Sequence, residues 1–133
     1  MNHDPTRGRV GPAGRLFTPN DALMYRFPSI FGYDPLILKR YIHYIQHSQS
    51  QAYNDYVVNL SYIRNPDVKL LRLLNLRQTI SGGKIRTINN NVPSANIVGK
   101  AVVRSSDQVL PFMKSKGFDP QQMVVFEPEY GES

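Results

Sequence analysis

The sequence predicts an α+β domain in which N-terminal helices precede a small mixed or antiparallel sheet of order β-β-β-α-β, with helices packed on one face of the sheet. Three observations predict this class. Apolar residues recur at helical spacing in the first half of the chain, in segments that begin with a polar residue followed by proline. In the second half, β-branched residues surround a Gly-Gly pair. Hydrophobic residues make up 41% of the 133 residues and charged residues 20%, which is typical of a globular domain.

The composition divides the chain into three expected regions. Residues 1–15 are rich in Gly, Pro and Arg and predict a flexible arm. Residues 16–127 predict a single α+β domain, and residues 128–133 predict an acidic C-terminal tail. No apolar segment approaches the ~18 residues of a membrane span, and no signal peptide is recognisable, so we expect a soluble chain. The absence of cysteine excludes a disulfide framework and a thiol nucleophile.

Two helices are predicted in the first half, each marked by a polar cap followed by proline. Thr18 precedes Pro19, and Pro28 keeps this first helix short. Asp34 precedes Pro35, which suits the first helical position because its φ is already fixed. The second helix then carries a basic and aromatic side opposite an apolar face. That apolar face consists of Leu38, Tyr41, Ile42 and Ile45.

A third helix and the β segments follow. Asn65 and Pro66 repeat the cap-and-proline pattern before a leucine-rich segment. From that segment we expect Leu71 and Leu74 to be buried between helix and sheet. The remaining predictions are a hairpin at "QTISGGKIRTI", a strand at "ANIVGKAVVRS", a helix at "SSDQVLPFMKSKG" and a short buried strand at "MVVFE".

The whole chain has a net charge of +6, and its positive charge is concentrated in the middle of the sequence. Residues 59–116 carry ten lysines and arginines against two acidic residues, and residues 117–133 carry none against four. Such a block suggests an anionic partner, namely lipid head groups, a polyanionic glycopolymer or nucleic acid, although a solvated surface has the same composition. The candidate anion-binding residues are Lys69, Arg72, Arg77, Lys84, Arg86, Lys100 and Arg104.

No motif predicts catalysis, a cofactor or a metal. "SGGKIRT" departs from a phosphate loop because Ile85 follows Lys84, and a hairpin turn explains it better. His43 and His47 have metal-site spacing, but no acidic residue lies between them and the remaining histidine is in the N-terminal arm. No second carboxylate stands in an obvious relation to Asp34, and no nucleophile elbow occurs.

Eight tyrosines beside a basic block would suit single-stranded nucleic acid through base stacking. However, three of them, Tyr33, Tyr41 and Tyr44, lie near a helix that needs an apolar face, and no RNP-type strand, KH loop or helix-turn-helix pattern occurs. The sequence therefore argues against nucleic acid as the partner. A basic nucleic-acid-binding domain or another interaction domain stays the alternative function.

Four segments, in order, resemble the extracytoplasmic region of YfhO-family bacterial membrane proteins over about residues 15–127. They are "NDALMYRFPSIFGYDPLILKRYIHYI", "LLRLLNLRQTIS", "VPSANIVGKAVV" with "SSDQVLPFM", and "FDPQQMVVFE". Tyr33, Asp34, Pro35 and Leu36 match the family's Gly-Tyr-Asp-Pro-Leu pattern. Two positions depart from the family: Gln78 replaces an aromatic residue, and Ser94 replaces an arginine.

The resemblance implies a non-catalytic extracytoplasmic module of a membrane protein similar to GT-C glycosyltransferases, at the extracytoplasmic face of the bacterial cell membrane. Its partners would be the membrane domain of a longer parent protein and an anionic lipid or cell-envelope polymer. The family's presumed catalytic acids lie in membrane-domain loops outside this chain, so the isolated chain would be no enzyme and would need no cofactor. The candidate glycan-facing residues are Tyr33, Asp34, Arg40 and Tyr44.

Overall fold

The structure is a computed structural model, and it describes residues 8–13, 19–31, 38–52, 63–93 and 95–128. The chain divides into two compact units, Met1–Asn91 (unit 1) and Val92–Ser133 (unit 2). The elements in chain order are β1 Arg9–Pro12, α1 Pro19–Met24, α2 Lys39–Ser48, α3 Lys69–Leu73, β2 Leu76–Ser81, β3 Lys84–Thr87, β4 Lys100–Val103, α4 Ser106–Lys114 and β5 Met123–Phe126. The architecture is mixed α+β, as the sequence predicts.

The described strands form two sheets, whereas the sequence predicts one. In unit 1 the strand order is β1-β2-β3, with β1 parallel and β3 antiparallel to β2. In unit 2, β4 and β5 form a two-stranded parallel sheet. The element order also differs from the prediction, because β1 precedes the helices. The single domain expected over residues 16–127 stays a prediction.

Strand β1 lies within the segment that its composition assigns to a flexible arm, and that prediction is wrong for this strand. The Ile30 amide donates to the Val10 carbonyl at 3.0 Å, and β2 pairs along the other side of β1. A Cβ added to Gly11 would lie 2.5 Å from Ile63 Cδ1 and 2.9 Å from Leu76 Cδ1. Glycine here permits the backbone to approach the core closely, and the sequence pattern does not distinguish this role from flexibility.

Helix α2 carries part of the predicted apolar face. Ile42 and Ile45 are buried, whereas Leu38, at the N-cap position, is exposed. The predicted caps Thr18 and Asp34 lie outside the described residues. Leu38 precedes the helix, so the apolar face starts at Tyr41, which packs against the core.

Helix α3 is shorter than the leucine pattern predicts. It ends at Leu73, and Asn75 then adopts a left-handed φ of 59°, which asparagine tolerates better than most residues. The predicted cap Asn65 instead accepts a hydrogen bond from the Asp67 amide at 3.2 Å, and Val68 occupies the N-cap position. Leu76, the last leucine of the segment, thus begins β2 instead of extending the helix.

The core of unit 1 brings together α2, α3, β2 and the segments around them. Its buried cluster consists of Ile30, Phe31, Ile45, Ile63, Leu71, Leu76 and Ile88. Leu71 is fully buried, as predicted, whereas Leu74 is half-buried and packs against the outside of the cluster.

The side chain of Gln49 joins the end of α2 to the segment that precedes α3. Its Oε1 accepts hydrogen bonds from the amides of Arg64, at 2.9 Å, and Asn65, at 2.8 Å. Its Nε2 donates to the Asn65 carbonyl at 2.9 Å. The side-chain amide therefore pairs with the backbone much as a neighbouring strand would.

Unit 2 is a strand–helix–strand unit in which α4 connects the parallel strands. Val109 on α4 and Phe118 after it are buried, and the rings of Phe112 and Phe118 meet edge to face at 5.9 Å. Strand β5 is less buried than the sequence predicts. Its first three residues are half-buried, and Phe126 is 53% exposed.

Candidate anion-binding surface

The β2–β3 hairpin carries three of the seven candidate anion-binding residues on one face. Across the hairpin, Thr79 pairs with Arg86. Directly paired residues share a face, and so do residues two apart along a strand. Arg77, Lys84 and Arg86 therefore lie on the same face. Lys84 and Arg86 are exposed, whereas Arg77 is half-buried.

The turn of this hairpin is formed by Gly82 and Gly83. Their φ angles are 55° and 75°, and two consecutive residues with positive φ are characteristic of a type I′ hairpin turn. The hairpin predicted at "SGGK" is confirmed, and the two-residue turn brings Lys84 directly to the tip of the hairpin.

We call Arg77, Lys84 and Arg86 the hairpin cations. Two of them, Arg77 and Arg86, are held by neighbouring residues. Arg77 Nε donates to Asn75 Oδ1 at 3.0 Å, and the Gly8 backbone packs so closely that an added Cβ would lie 2.4 Å from Arg77 Cγ. Arg86 Nη2 lies 2.8 Å from Asp67 Oδ2. Both partners of this ion pair are substantially exposed, so its contribution to stability is at most about 1 kcal/mol. The face thus carries three cations beside one carboxylate.

Lys69 and Arg72 lie three residues apart on α3, and this spacing places them on neighbouring positions of one helix side. Both are half-buried. Arg72 Nε is buried and has no hydrogen-bond partner among the described residues. Buried donors normally have a partner, and a water molecule or an anion would satisfy this one.

Lys100 and Arg104 belong to unit 2. The Arg104 guanidinium carbon lies 4.8 Å from the centroid of the Phe112 ring, and Arg104 Nη1 donates to the Val103 carbonyl at 2.9 Å. Arg104 therefore links β4 to α4 by a cation–π contact. The seven candidates fall into a group of five in unit 1 and a group of two in unit 2, and their convergence on a single face stays a prediction.

The candidate glycan-facing residues have different environments. Tyr33 and Asp34 lie outside the described residues, and Arg40 is exposed on α2. The Tyr44 ring packs against the core, and its hydroxyl donates to the Leu70 carbonyl at 2.6 Å. Burial raises the pKa of Tyr44 above its ordinary value. The structure shows that Tyr44 contacts the core, and the glycan-facing role of these four residues stays a prediction.

An exposed apolar segment lies at the end of α1, and none of the patterns described above predicts it. Met24 is 78% exposed and Tyr25 67% exposed, and the rings of Tyr25 and Phe27 lie 6.5 Å apart. Arg26, between them, has a left-handed φ of 56°. The one sequence signal for this exposed segment is the predicted end of the helix before Pro28. Side chains that follow the end of a short helix are no longer held on its buried face, and here they are exposed to solvent.

Within the described part of the chain, no group of three or more His, Asp or Glu side chains is placed to hold a metal ion. None of the described helices is long and apolar enough to cross a membrane. No family model, curated protein or solved structure matches this chain.

Proposed function

We propose that this chain is a non-catalytic extracytoplasmic module of a glycosyltransferase-like bacterial membrane protein, and that it contacts an anionic lipid surface or cell-envelope polymer. The observation that carries this proposal is the grouping of Arg77, Lys84 and Arg86 on one face of the hairpin. The resemblance of the four sequence segments to YfhO-family proteins supports a position beside a membrane domain.

The chemistry shared by the two partners is the anionic phosphodiester or carboxylate. Lys84 and Arg86 are exposed, so both can reach such groups, although Arg86 must then give up its weak ion pair with Asp67. Each cation near an anionic membrane contributes about 1 kcal/mol, and the hairpin cations together therefore give weak binding. This contribution falls with salt, because exposed charges are screened within ~10 Å at 0.1 M.

Co-sedimentation with vesicles tests the proposal. We expect the chain to sediment at low salt with vesicles of phosphatidylglycerol and phosphatidylcholine, and more weakly with phosphatidylcholine alone. Replacing Lys84 and Arg86 with Gln is expected to weaken binding about fivefold for each charge removed. The matched control replaces Lys114 and Lys116 with Gln, which removes the same charge from unit 2. Equal loss in the two double variants would contradict a role for the hairpin.

Competition experiments separate the sources of the anion. At equal phosphate concentration, tighter binding to soluble poly(glycerol phosphate) than to the vesicles would favour a cell-envelope polymer, and tighter binding to the vesicles would favour lipid. Tighter binding to single-stranded RNA than to either would favour the alternative, a nucleic-acid-binding domain. A reading frame that continues into several apolar spans would support the membrane-bound parent. Turnover of a lipid-linked sugar by the purified chain would overturn the non-catalytic assignment.

A further inference from the structure

The sheet of unit 2 is unusual because it contains only two parallel strands, neither of which pairs with a further described strand. Parallel sheets are normally larger and covered on both faces, and isolated two-stranded sheets are marginally stable in water. Unit 2 is also close to the length of about 40 residues below which domains usually need additional stabilisation. A sheet of this kind is one that an added strand stabilises.

The hydrogen-bond pattern identifies which backbone groups of β5 point outward. The Arg104 amide donates to the Phe126 carbonyl at 2.9 Å. In a parallel ladder, the N–H and C=O of one residue point to the same neighbour, and successive residues point to opposite sides. Phe126 and Val124 therefore direct their backbone groups towards β4, and Val125 directs its N–H and C=O away from it.

The other strand edges carry features that discourage pairing. On β4 the outward-pointing residues are Ala101 and Val103, and Arg104 Nη1 already covers the Val103 carbonyl. Lys100 adds a charge at the start of β4, and two exposed cations occupy the outer strand of the hairpin in unit 1. Charged residues are a common protection of edge strands. Strand β5, with the sequence MVVF, contains no charge.

We propose that β5 pairs edge to edge with β5 of a second copy of this chain, antiparallel, about a two-fold axis through Val125. Val125 of each copy then exchanges both backbone hydrogen bonds with its counterpart. In this register Val124 lies opposite Phe126 of the second copy, and Met123 lies opposite Glu127. The product is a four-stranded sheet of order β4-β5-β5-β4, whose ends are the two protected β4 edges.

Side-chain chemistry favours a second copy over a foreign strand. Phe126 is 53% exposed and Val103, its partner in the β4–β5 register, is 58% exposed. The two-fold axis places the Phe126 ring beside Val124 of the second copy, an aromatic–β-branched pair of the kind that stabilises antiparallel strands. No like charges oppose each other, and the uncharged strand offers nothing that would select a charged partner. A four-residue edge is smaller than a standard interface, so this dimer is weak and concentration-dependent.

Sedimentation equilibrium with two proline variants tests the inference. The average mass is expected to rise from 15.2 kDa towards twice that value between micromolar and millimolar protein. Val125→Pro removes an outward-facing N–H and no bond of the β4–β5 ladder, so this variant should stay monomeric. Ala101→Pro removes the equivalent N–H from the edge of β4 and should still dimerise. A wild-type chain that stays monomeric, or a dimer that both variants lose equally, overturns the proposal.

Amide hydrogen exchange gives a second readout that needs no substitution. Exchange of the Val125 amide should slow as protein concentration rises, whereas exchange of the Ala101 amide should not change. This measurement decides the question even if Val125→Pro fails to fold. A dimer in which Val125 exchanges at a rate independent of concentration would place the interface elsewhere. The inference does not depend on the proposed function.

Discussion

Replacing Leu71 with alanine tests the placement of the unit 1 core most directly. Leu71 is fully buried within the cluster that also contains Ile45 and Ile63, so its truncation leaves a cavity enclosed by neighbours. Such substitutions lower the free energy of unfolding by about 2–5 kcal/mol. Leu74, the matched control at the edge of the same cluster, is half-buried, and its truncation should cost about 1 kcal/mol.

Urea denaturation measures this difference. With a slope of roughly 1–3 kcal/mol per molar urea, the Leu71→Ala midpoint should fall by about 1 M or more. The chain has no tryptophan, and every tyrosine except Tyr130 belongs to unit 1, so tyrosine emission reports on that unit. If the midpoint of Leu71→Ala shifts no further than that of Leu74→Ala, the assignment of Leu71 to the centre of the core is refuted.

Three further predictions concern single side chains. Tyr44→Phe leaves a core carbonyl without its donor and should lower the free energy of unfolding by about 1–3 kcal/mol. Burial raises the folded-state pKa of Tyr44, so the stability from its neutral phenol is fully present below about pH 10 and is lost as pH rises through that raised pKa. Tyr44→Phe should therefore lose stability less steeply in alkali, and an identical slope would contradict this. Gly83→Ala places a side chain at φ 75° and should cost about 1 kcal/mol in thermal or urea unfolding, whereas Gly99→Ala, in open space, should cost nothing measurable. Gln49→Ala removes three hydrogen bonds to backbone groups and should cost roughly 1–3 kcal/mol, and a loss as small as that of exposed Gln51→Ala would show that this bridge is dispensable.

Local chemistry made some elements predictable from the sequence. The Gly-Gly pair with flanking β-branched residues predicts the β2–β3 hairpin. Its turn needs two successive residues with positive φ, and few residues other than glycine adopt that conformation readily. The leucine pattern predicts a longer α3 than the structure shows. Leu71 in the helix and Leu76 in the strand both contribute to the same apolar pattern, so the pattern does not reveal where the helix ends. The break is set by the left-handed backbone of Asn75, which the pattern does not encode.

Long-range placement was less predictable. The pairing of β1 with β2 depends on the fit of Gly11 against Ile63, which are distant in sequence, so composition alone suggested an arm. In the candidate anion-binding surface, side chains alternate between the two faces of the hairpin, and this alternation places Arg77, Lys84 and Arg86 on one face. The sequence leaves two environments open for Tyr44, because tyrosine suits both a buried and a glycan-facing position, and its contact with the core is seen only in the structure.

The pairing of β1 has a consequence for how the chain acquires its fold during synthesis. Arg9 leaves the ribosome before its strand partner, which begins at Leu76, so the β1–β2 pairing must wait until the intervening segment is made. Contacts between residues so far apart form late and slowly, because the intervening loop must first be closed. The sheet of unit 1 therefore stays incomplete until β2 is made, and nascent chains halted before β2 should remain sensitive to proteases until synthesis resumes.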